Sequence, residues 1–166
     1  GGNGRRGVKF LLKIFSETDL AAPYDAEPPV DPEQLAADFA ADFRKRKEAA
    51  REAGVTYLRI PCLGHPVFND RDVNYDPRER EIAAAVEHAG GRNIFLDFYH
   101  HLARALFDEG VSRNVWAVNM DAAIAAVWLA ICWRGLREKR LSVTRVQSCA
   151  FLGFALGRAA GGAGEY

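Results

Sequence analysis

The chain has 166 residues, of which 49% are hydrophobic and 27% charged, a composition that argues against a disordered segment or a coiled coil. Its 22 basic and 22 acidic residues balance, so no basic field is present that would attract nucleic acid or an anionic membrane. The odd number of cysteines, Cys62, Cys132 and Cys149, excludes a fully paired disulfide framework and favours a reducing, cytoplasmic location.

Helical patterns begin close to the start of the chain. Apolar residues recur at helical spacing over residues 8–15, after a glycine-rich stretch. Residues 21–32 hold four of the seven prolines, and we expect an extended, exposed linker there. The Asp-Pro-Glu sequence at 31–33 is typical of a helix start, and this helix should end at Gly54.

The rest of the chain also favours helices. Residues 55–60 are consistent with a short strand or with the entry to a loop, and residues 62–75 predict a loop. Four further helices are predicted, each beginning at an Asp, Asn or Ser. Their predicted starts are Asp76, Asn93, either Asn119 or Asp121, and Ser142. The longest apolar run, 122–133, is shorter than the roughly 20 residues that a bilayer requires, so it predicts a buried helix. The predicted fold class is all-α.

Glycines recur every four residues in the last predicted helix, at Gly153, Gly157 and Gly161. Glycine weakens a helix unless a neighbour packs closely against it, so the spacing predicts close contacts along this helix. The chain begins at Gly1 rather than Met and ends at Tyr166, directly after a glycine-rich stretch. These features predict that it is part of a larger protein.

Two candidate functional residues lie in or just after the predicted loop. His65 is held between Gly64 and Pro66, which suits an imidazole positioned for proton transfer or hydrogen bonding, although a structural loop histidine fits the same pattern. Arg78 occupies the first turn of a helix, where a cation is unfavourable unless an anion is bound nearby. The alternative for Arg78 is a solvated charge beside acidic neighbours.

Two further candidates lie on the apolar helices. Asp121 opens the most apolar helix, where it is either an ordinary helix-start residue or a partly desolvated acid or base. Arg158 is a lone cation among apolar and small residues, which requires an anionic partner, and its guanidinium is suited to a carboxylate. His100 and His101 are adjacent and point to different helix faces, so no metal site is predicted.

The segments that contain these four candidates resemble citrate synthases. The similar segments are Gly64 to Phe68 with Asn74 to Arg78 (the family's "GHRV…(N)xDPR"), Asn119 to Asp121 ("NVD"), and Phe154 to Arg158 ("ALAR" or "VLGR"). Order and spacing agree over about 60–166, and residues 1–15 are compatible with the family. Details at 119–124 and 156–166 are closer to the citryl-CoA lyase module of ATP-citrate lyase.

The resemblance implies the C-terminal portion of the citrate synthase fold. Residues 1–132 would form the small domain with the catalytic loop and Asp, and 133–166 would return to the large domain. It also implies a homodimer or higher oligomer. Further histidines of the active site would precede Gly1, and an arginine lent by the other subunit would follow Tyr166, so the chain would be incomplete at both ends.

The resemblance also implies a reaction. A coenzyme A thioester, citryl-CoA, would be cleaved to acetyl-CoA and oxaloacetate in a retro-Claisen step, with no metal. His65 would take the alcohol proton, and Asp121 would protonate the enol carbon of acetyl-CoA. Arg78 and Arg158 would bind carboxylates of the oxaloacetate half. Coenzyme A would be held at Leu63, Gly64 and Val67.

Departures from the family leave other functions open. Pro66 stands where the family has an arginine, the segment from 65 to 78 is a few residues longer, and the proline-rich segment 21–32 has no counterpart. One alternative is a citrate or 2-methylcitrate synthase that runs the condensation. The other is a helical assembly domain without catalytic activity.

Overall fold

Six helices account for the fold in a computed structural model that describes residues 2–25, 27–57, 59–89 and 91–163. They are α1 (Gly2–Phe15), α2 (Pro32–Glu52), α3 (Pro77–His88), α4 (Ile94–Asp108), α5 (Met120–Arg137) and α6 (Val143–Ala163). Within these residues the only extended pairing is two isolated bridges, Leu63 with Val118 and Val73 with Val115. The all-α prediction is confirmed.

Side-chain caps set the helix starts that the sequence predicts. Asp31, Asp76 and Asn93 precede α2, α3 and α4, and each accepts hydrogen bonds from backbone N–H groups of the first turn. At α5 the cap is Asn119, whose Oδ1 accepts the N–H of Asp121 at 3.1 Å. Asp121 is therefore a first-turn residue with its carboxyl group free of the capping role.

The core lies between the amphipathic face of α4 and the apolar helix α5. The predicted buried residues of α4 are all buried: Phe95, Phe98, Tyr99, Leu102 and Leu106. Phe15 of α1 and Trp133 of α5 contact Phe95 from two sides, with ring centroids 4.9 and 5.2 Å apart. Helix α2 packs on α4, and α1 packs on both α5 and α6. No helix in the described part of the chain has the length and apolarity that a membrane crossing requires.

The proline-rich segment 21–32 is irregular and exposed over most of its described length, as predicted, but it is also anchored to the core. Pro23 and Val30 are buried, as is Leu20 just before the segment, and the Pro23 carbonyl accepts the N–H of Ile94 at 3.0 Å. The indole Nε1 of Trp133 also donates to the Leu20 carbonyl at 3.0 Å. Proline prevents regular structure here but not burial, so the segment covers the core as an irregular strap.

The glycines of α6 behave in two ways. A β-carbon added at Gly153 would lie 2.9 Å from Nε1 of Trp128, so this glycine does allow the predicted close contact. Gly157 and Gly161 have nothing within 4 Å of the same position, and close packing there is not observed. The prediction was right only for the first of the three.

The packing around α1 predicts opposite effects for two glycine-to-alanine changes. A β-carbon at Gly7 would lie 2.6 Å from Cys62 Sγ and 3.0 Å from the Ala125 β-carbon. We expect Gly7→Ala to lower the free energy of unfolding by about 1–3 kcal/mol through overpacking. The matched control Gly157→Ala, in open space, should raise it by about 0.5–1 kcal/mol because alanine favours the helix. Urea unfolding measures both, and equal stabilisation by the two changes would contradict the close approach of α1.

Candidate active site

The loop that carries His65 is fastened to the segment that leads into α5. The Gly64 N–H donates to the Ala117 carbonyl at 2.8 Å, and the Asn119 N–H donates to the Cys62 carbonyl at 3.1 Å. The Asn119 amide also donates to the Gly64 carbonyl at 3.1 Å. Gly64 has a φ of +82°, which glycine adopts without strain. These bonds fix the backbone on the N-terminal side of His65 close to the start of α5.

The ring of His65 is oriented by its own loop. Nδ1 accepts the N–H groups of Val67 at 3.1 Å and Phe68 at 3.3 Å, and the ring stacks on Phe68 with centroids 4.5 Å apart. Because Nδ1 is an acceptor, the hydrogen-bond pattern assigns the proton of the neutral ring to Nε2. The loop therefore presents an N–H donor on the side away from Val67.

Asp76 connects Arg78 to the start of α5. The Asp76 side chain is fully buried and pairs with two nitrogens of Arg78, Nε at 2.9 Å and Nη2 at 2.8 Å. Its Oδ2 also accepts the N–H of Met120 at 3.1 Å. A planar guanidinium is held rigidly by such a two-point contact. The arginine side chain remains 56% exposed, so it is fixed in position and still reachable from solvent.

The pairing changes the pKa values of both groups. Burial alone would raise the pKa of Asp76, but hydrogen bonds from the Arg78 side chain and from the backbone of Met120 and Arg78 outweigh it, and the pKa lies below its ordinary value. The hydrogen bond from Asp76 raises the pKa of Arg78, and the nearby Asp121 adds a smaller increase. The pair is therefore ionised, and the charge of Asp121 is close enough to act on Arg78.

His65 and Arg78, thirteen residues apart in the sequence, meet in the structure. Nε2 of His65 and Nη2 of Arg78 are 3.1 Å apart. With the proton on Nε2, both atoms are donors, so neither satisfies the other. One oxygen placed between them would accept from both. The pair therefore forms a two-donor site that suits a carbonyl, alkoxide or carboxylate oxygen.

Asp121 follows Met120 directly and supplies an acid at the same end of α5. Its Oδ1 is buried and has no hydrogen-bond partner among the described residues. A β-carbon added at Gly4 of α1 would lie 3.4 Å from this oxygen, so α1 encloses it from one side. Buried polar atoms are normally hydrogen-bonded. The exception at Asp121 is a carboxyl oxygen without a partner among the described residues, enclosed by the protein at the start of α5.

Two buried polar side chains behind Asp121 were not predicted from the sequence. Burial raises the pKa of the Cys62 thiol to about 12, and it raises the pKa of Tyr99 well above its usual value. The charge of Asp121 raises both further. Neither group ionises near neutral pH, so they form an uncharged wall behind the carboxyl group. Their positions in apolar patterns gave no signal of this arrangement.

A cleft of about 490 Å³ opens beside His65. Of the three positions assigned to coenzyme A, Leu63 and Gly64 line this cleft. Val67 does not line it; its side chain is exposed, and its N–H is engaged with His65 Nδ1. The remaining lining combines aromatic and basic side chains, among them Phe43, Tyr57, Trp116, Lys47 and Arg59.

Arg158 lies apart from the other candidates. It is on the exposed part of α6, and its guanidinium carbon is 5.8 Å from the ring centroid of Phe154. No hydrogen bond or ion pair among the described residues joins it to His65, Arg78 or Asp121. The structure thus brings His65 and Arg78 into contact, places Asp121 close enough for its charge to act on Arg78, and adds Asp76 as the link between Arg78 and the start of α5.

Comparisons with known proteins do not assign this chain to a family. No family model, no curated protein and no solved structure matches the chain. The chemistry of the site depends on its own groups: two convergent N–H donors, a buried carboxyl oxygen that has no partner among the described residues, and an adjoining cleft with aromatic and basic walls.

Proposed function

We propose that the protein is a citrate-synthase-family enzyme that cleaves citryl-CoA to acetyl-CoA and oxaloacetate. The observation that carries the proposal is the 3.1 Å approach of His65 Nε2 to Arg78 Nη2. Asp76 links this pair to the backbone N–H of Met120, the residue next to Asp121. An oxygen bound by the two donors would therefore lie at the end of α5 that carries the carboxyl group.

His65 and Arg78 would act on the oxygen that changes most in the reaction. As the carbon–carbon bond of the citryl group breaks, its tertiary hydroxyl loses a proton and becomes the ketone of oxaloacetate. In the cleaving direction that proton would pass to Nε2 of His65, which can take it only in the neutral tautomer opposite to the one that the bonds to Nδ1 favour. Arg78 donates to the same oxygen or to the adjacent carboxylate through N–H groups that Asp76 leaves free.

Asp121 would complete the step. The two electrons of the breaking bond pass to the acetyl-CoA fragment as an enolate, and its terminal carbon takes a proton from Asp121, which must be in its protonated form when citryl-CoA is bound. The unpartnered, buried Oδ1 supports this role, since no other group in the described chain competes for it. Proton transfer by a positioned group typically contributes about 10²–10⁴-fold to the rate.

The remaining assignments follow from the surroundings of the site. The coenzyme A portion fits the cleft beside His65, where Lys47 and Arg59 provide positive charge for phosphates and Leu63 and Gly64 line the wall. The contacts support a carboxylate-binding role for Arg78 and not for Arg158, whose guanidinium lies over Phe154. The proposal also includes assembly into a homodimer or higher oligomer, which only the family resemblance supports.

A second candidate has a specific observation in its favour. Condensation of oxaloacetate with acetyl-CoA would consume a proton from Nε2 of His65, and the hydrogen-bond pattern assigns the proton to that atom. The same three residues would then make the protein a citrate or 2-methylcitrate synthase, with Asp121 as the base that forms the enol.

Two assays of the full-length protein test the proposal and separate the candidates. With citryl-CoA as substrate, we expect oxaloacetate to appear without added ATP. With oxaloacetate and acetyl-CoA, the lyase should release little free thiol, whereas a synthase should release it rapidly. Rapid thiol release would therefore identify the protein as a synthase and contradict the lyase assignment. The absence of both reactions would overturn the enzyme proposal and favour a helical assembly domain.

A further inference from the structure

Cys132 on α5 and Cys149 on α6 occupy facing positions of a helical hairpin. Trp128 of α5 covers Gly153 of α6, with Nε1 2.9 Å from the place of a β-carbon. Cys132 lies four residues after Trp128, and Cys149 lies four residues before Gly153. In an antiparallel pair, one turn forward on one helix and one turn back on the other reach the same level on the same faces.

The two helices approach closely on either side of this level. Towards the turn, a β-carbon at Gly135 of α5 would lie 2.7 Å from Leu141, in the segment that connects the two helices, and on the other side Gly153 of α6 receives the indole of Trp128. A disulfide requires the two α-carbons to approach to about 4.4–6.8 Å, which facing positions reach where small residues bring helices together. The contacts at Gly135 and Gly153 hold α5 and α6 together on both sides of the cysteines.

The three thiols differ in their exposure to solvent, so a reagent can distinguish them. Cys132 and Cys149 are free and half-buried, so a small reagent can reach them. Burial and the neighbouring Cys149 both raise the pKa of Cys132, which is consistent with two adjacent thiols. Cys62 is buried to 1% exposure, and its pKa of about 12 keeps it unreactive near neutral pH.

We propose that Cys132 and Cys149 form a dithiol that exchanges with a small-molecule disulfide, such as oxidised glutathione, to give a reversible disulfide between α5 and α6. In the first step, the thiolate of one cysteine attacks a sulfur of the reagent, and one glutathione leaves and takes up a proton. In the second step, the other cysteine attacks the protein-bound sulfur and displaces the second glutathione. Two electrons and two protons pass from the protein to the reagent. The cross-link would tie the α5–α6 hairpin together independently of any activity of the His65 site.

Mass spectrometry of the oxidised chain tests the proposal. The reduced chain, freed of reductant and treated with oxidised glutathione, should lose the mass of two hydrogens. Trypsin should then release residues 114–134 joined to 146–158. Cys132→Ser and Cys149→Ser should each instead retain one bound glutathione on the remaining cysteine, because no second thiol displaces it. Cys62, in every variant, serves as the internal control and should stay unmodified. Two stable glutathione adducts on the wild-type chain, or unlinked peptides, would overturn the proposal.

Discussion

Replacing Asp121 by asparagine in the full-length protein should reduce citryl-CoA cleavage by about 10²–10⁴-fold. The amide has the same shape but cannot deliver a proton to the enol carbon, so the rate falls at the chemical step. Stability should change by less than about 1 kcal/mol, because the loss of a favourable first-turn charge is small. The capping bond from Asn119 to the backbone of residue 121 is untouched. Steady-state kinetics and thermal unfolding of the same preparation give both numbers.

Asp97→Asn is the matched control for this prediction. Asp97 occupies the first turn of α4, as Asp121 does in α5, and pairs with Arg92 outside the His65 site. It should leave the rate within about two-fold of the wild type, since it contributes no group to the proposed proton transfer. If Asp121→Asn retained a similar share of activity, Asp121 would not be the proton donor.

Replacing Asp76 by alanine should have the largest effect on stability among the site residues. The buried carboxylate accepts from the backbone N–H groups of Arg78 and Met120 and from two nitrogens of the Arg78 side chain. Its loss removes a helix cap and charge-assisted bonds and leaves N–H groups unpaired, at a cost of about 3 kcal/mol. Arg78 would also lose its fixed position beside His65. Urea unfolding measures the stability change.

Asp31→Ala provides the comparison, because Asp31 is also an N-cap but an exposed one that accepts only from the backbone of Glu33 and Gln34. It should cost about 1 kcal/mol. Equal costs for the two variants would mean that the bonds to Arg78 and Met120 add nothing.

The contribution of Asp76 should also depend on pH with a definite sign. Its pKa in the folded protein lies below the ordinary value of 3.8, so the unfolded chain binds the proton more readily. The stabilisation is therefore fully present above that value and is lost as the pH falls through the lower, folded pKa. The difference between wild type and Asp76→Ala should be constant around neutral pH and shrink below about pH 4. A difference that grew on acidification would contradict the assigned bonds.

Much of the fold could be predicted because its signals are local. Caps such as Asp31 and Asn93 and the apolar spacing of α4 fix helix starts and buried faces without reference to distant residues. The proline-rich segment was predicted correctly as irregular and largely exposed, but the burial of Pro23 and Val30 was not predicted, because proline reports on backbone conformation and not on burial. Its anchoring depends on partners such as Ile94 of α4, whose N–H binds the Pro23 carbonyl and which is distant in the sequence.

The site was predictable to the extent that its residues carry a recognisable spacing. His65 and Arg78 lie in one short segment, and their contact follows from a loop that returns to the start of α3. Asp76 was interpreted only as a helix cap, because its bond to the backbone of Met120 spans 44 residues. Arg158 was chosen as an unpaired cation on an apolar helix, and no local pattern reveals that this part of α6 lies on the surface.

The central claim is that His65 and Arg78 share one oxygen of the oxaloacetate half, and nitrogen NMR of the histidine rings tests it most directly. With ¹⁵N-labelled histidine, the free protein should show His65 protonated at Nε2 and bare at Nδ1. Saturating oxaloacetate should shift the Nε2 signal of His65 and leave those of His88 and His101 in place. Arg78→Gln should weaken this response at a given ligand concentration. A His65 signal that oxaloacetate does not move, or that moves no more than those of His88 and His101, would contradict the proposed site.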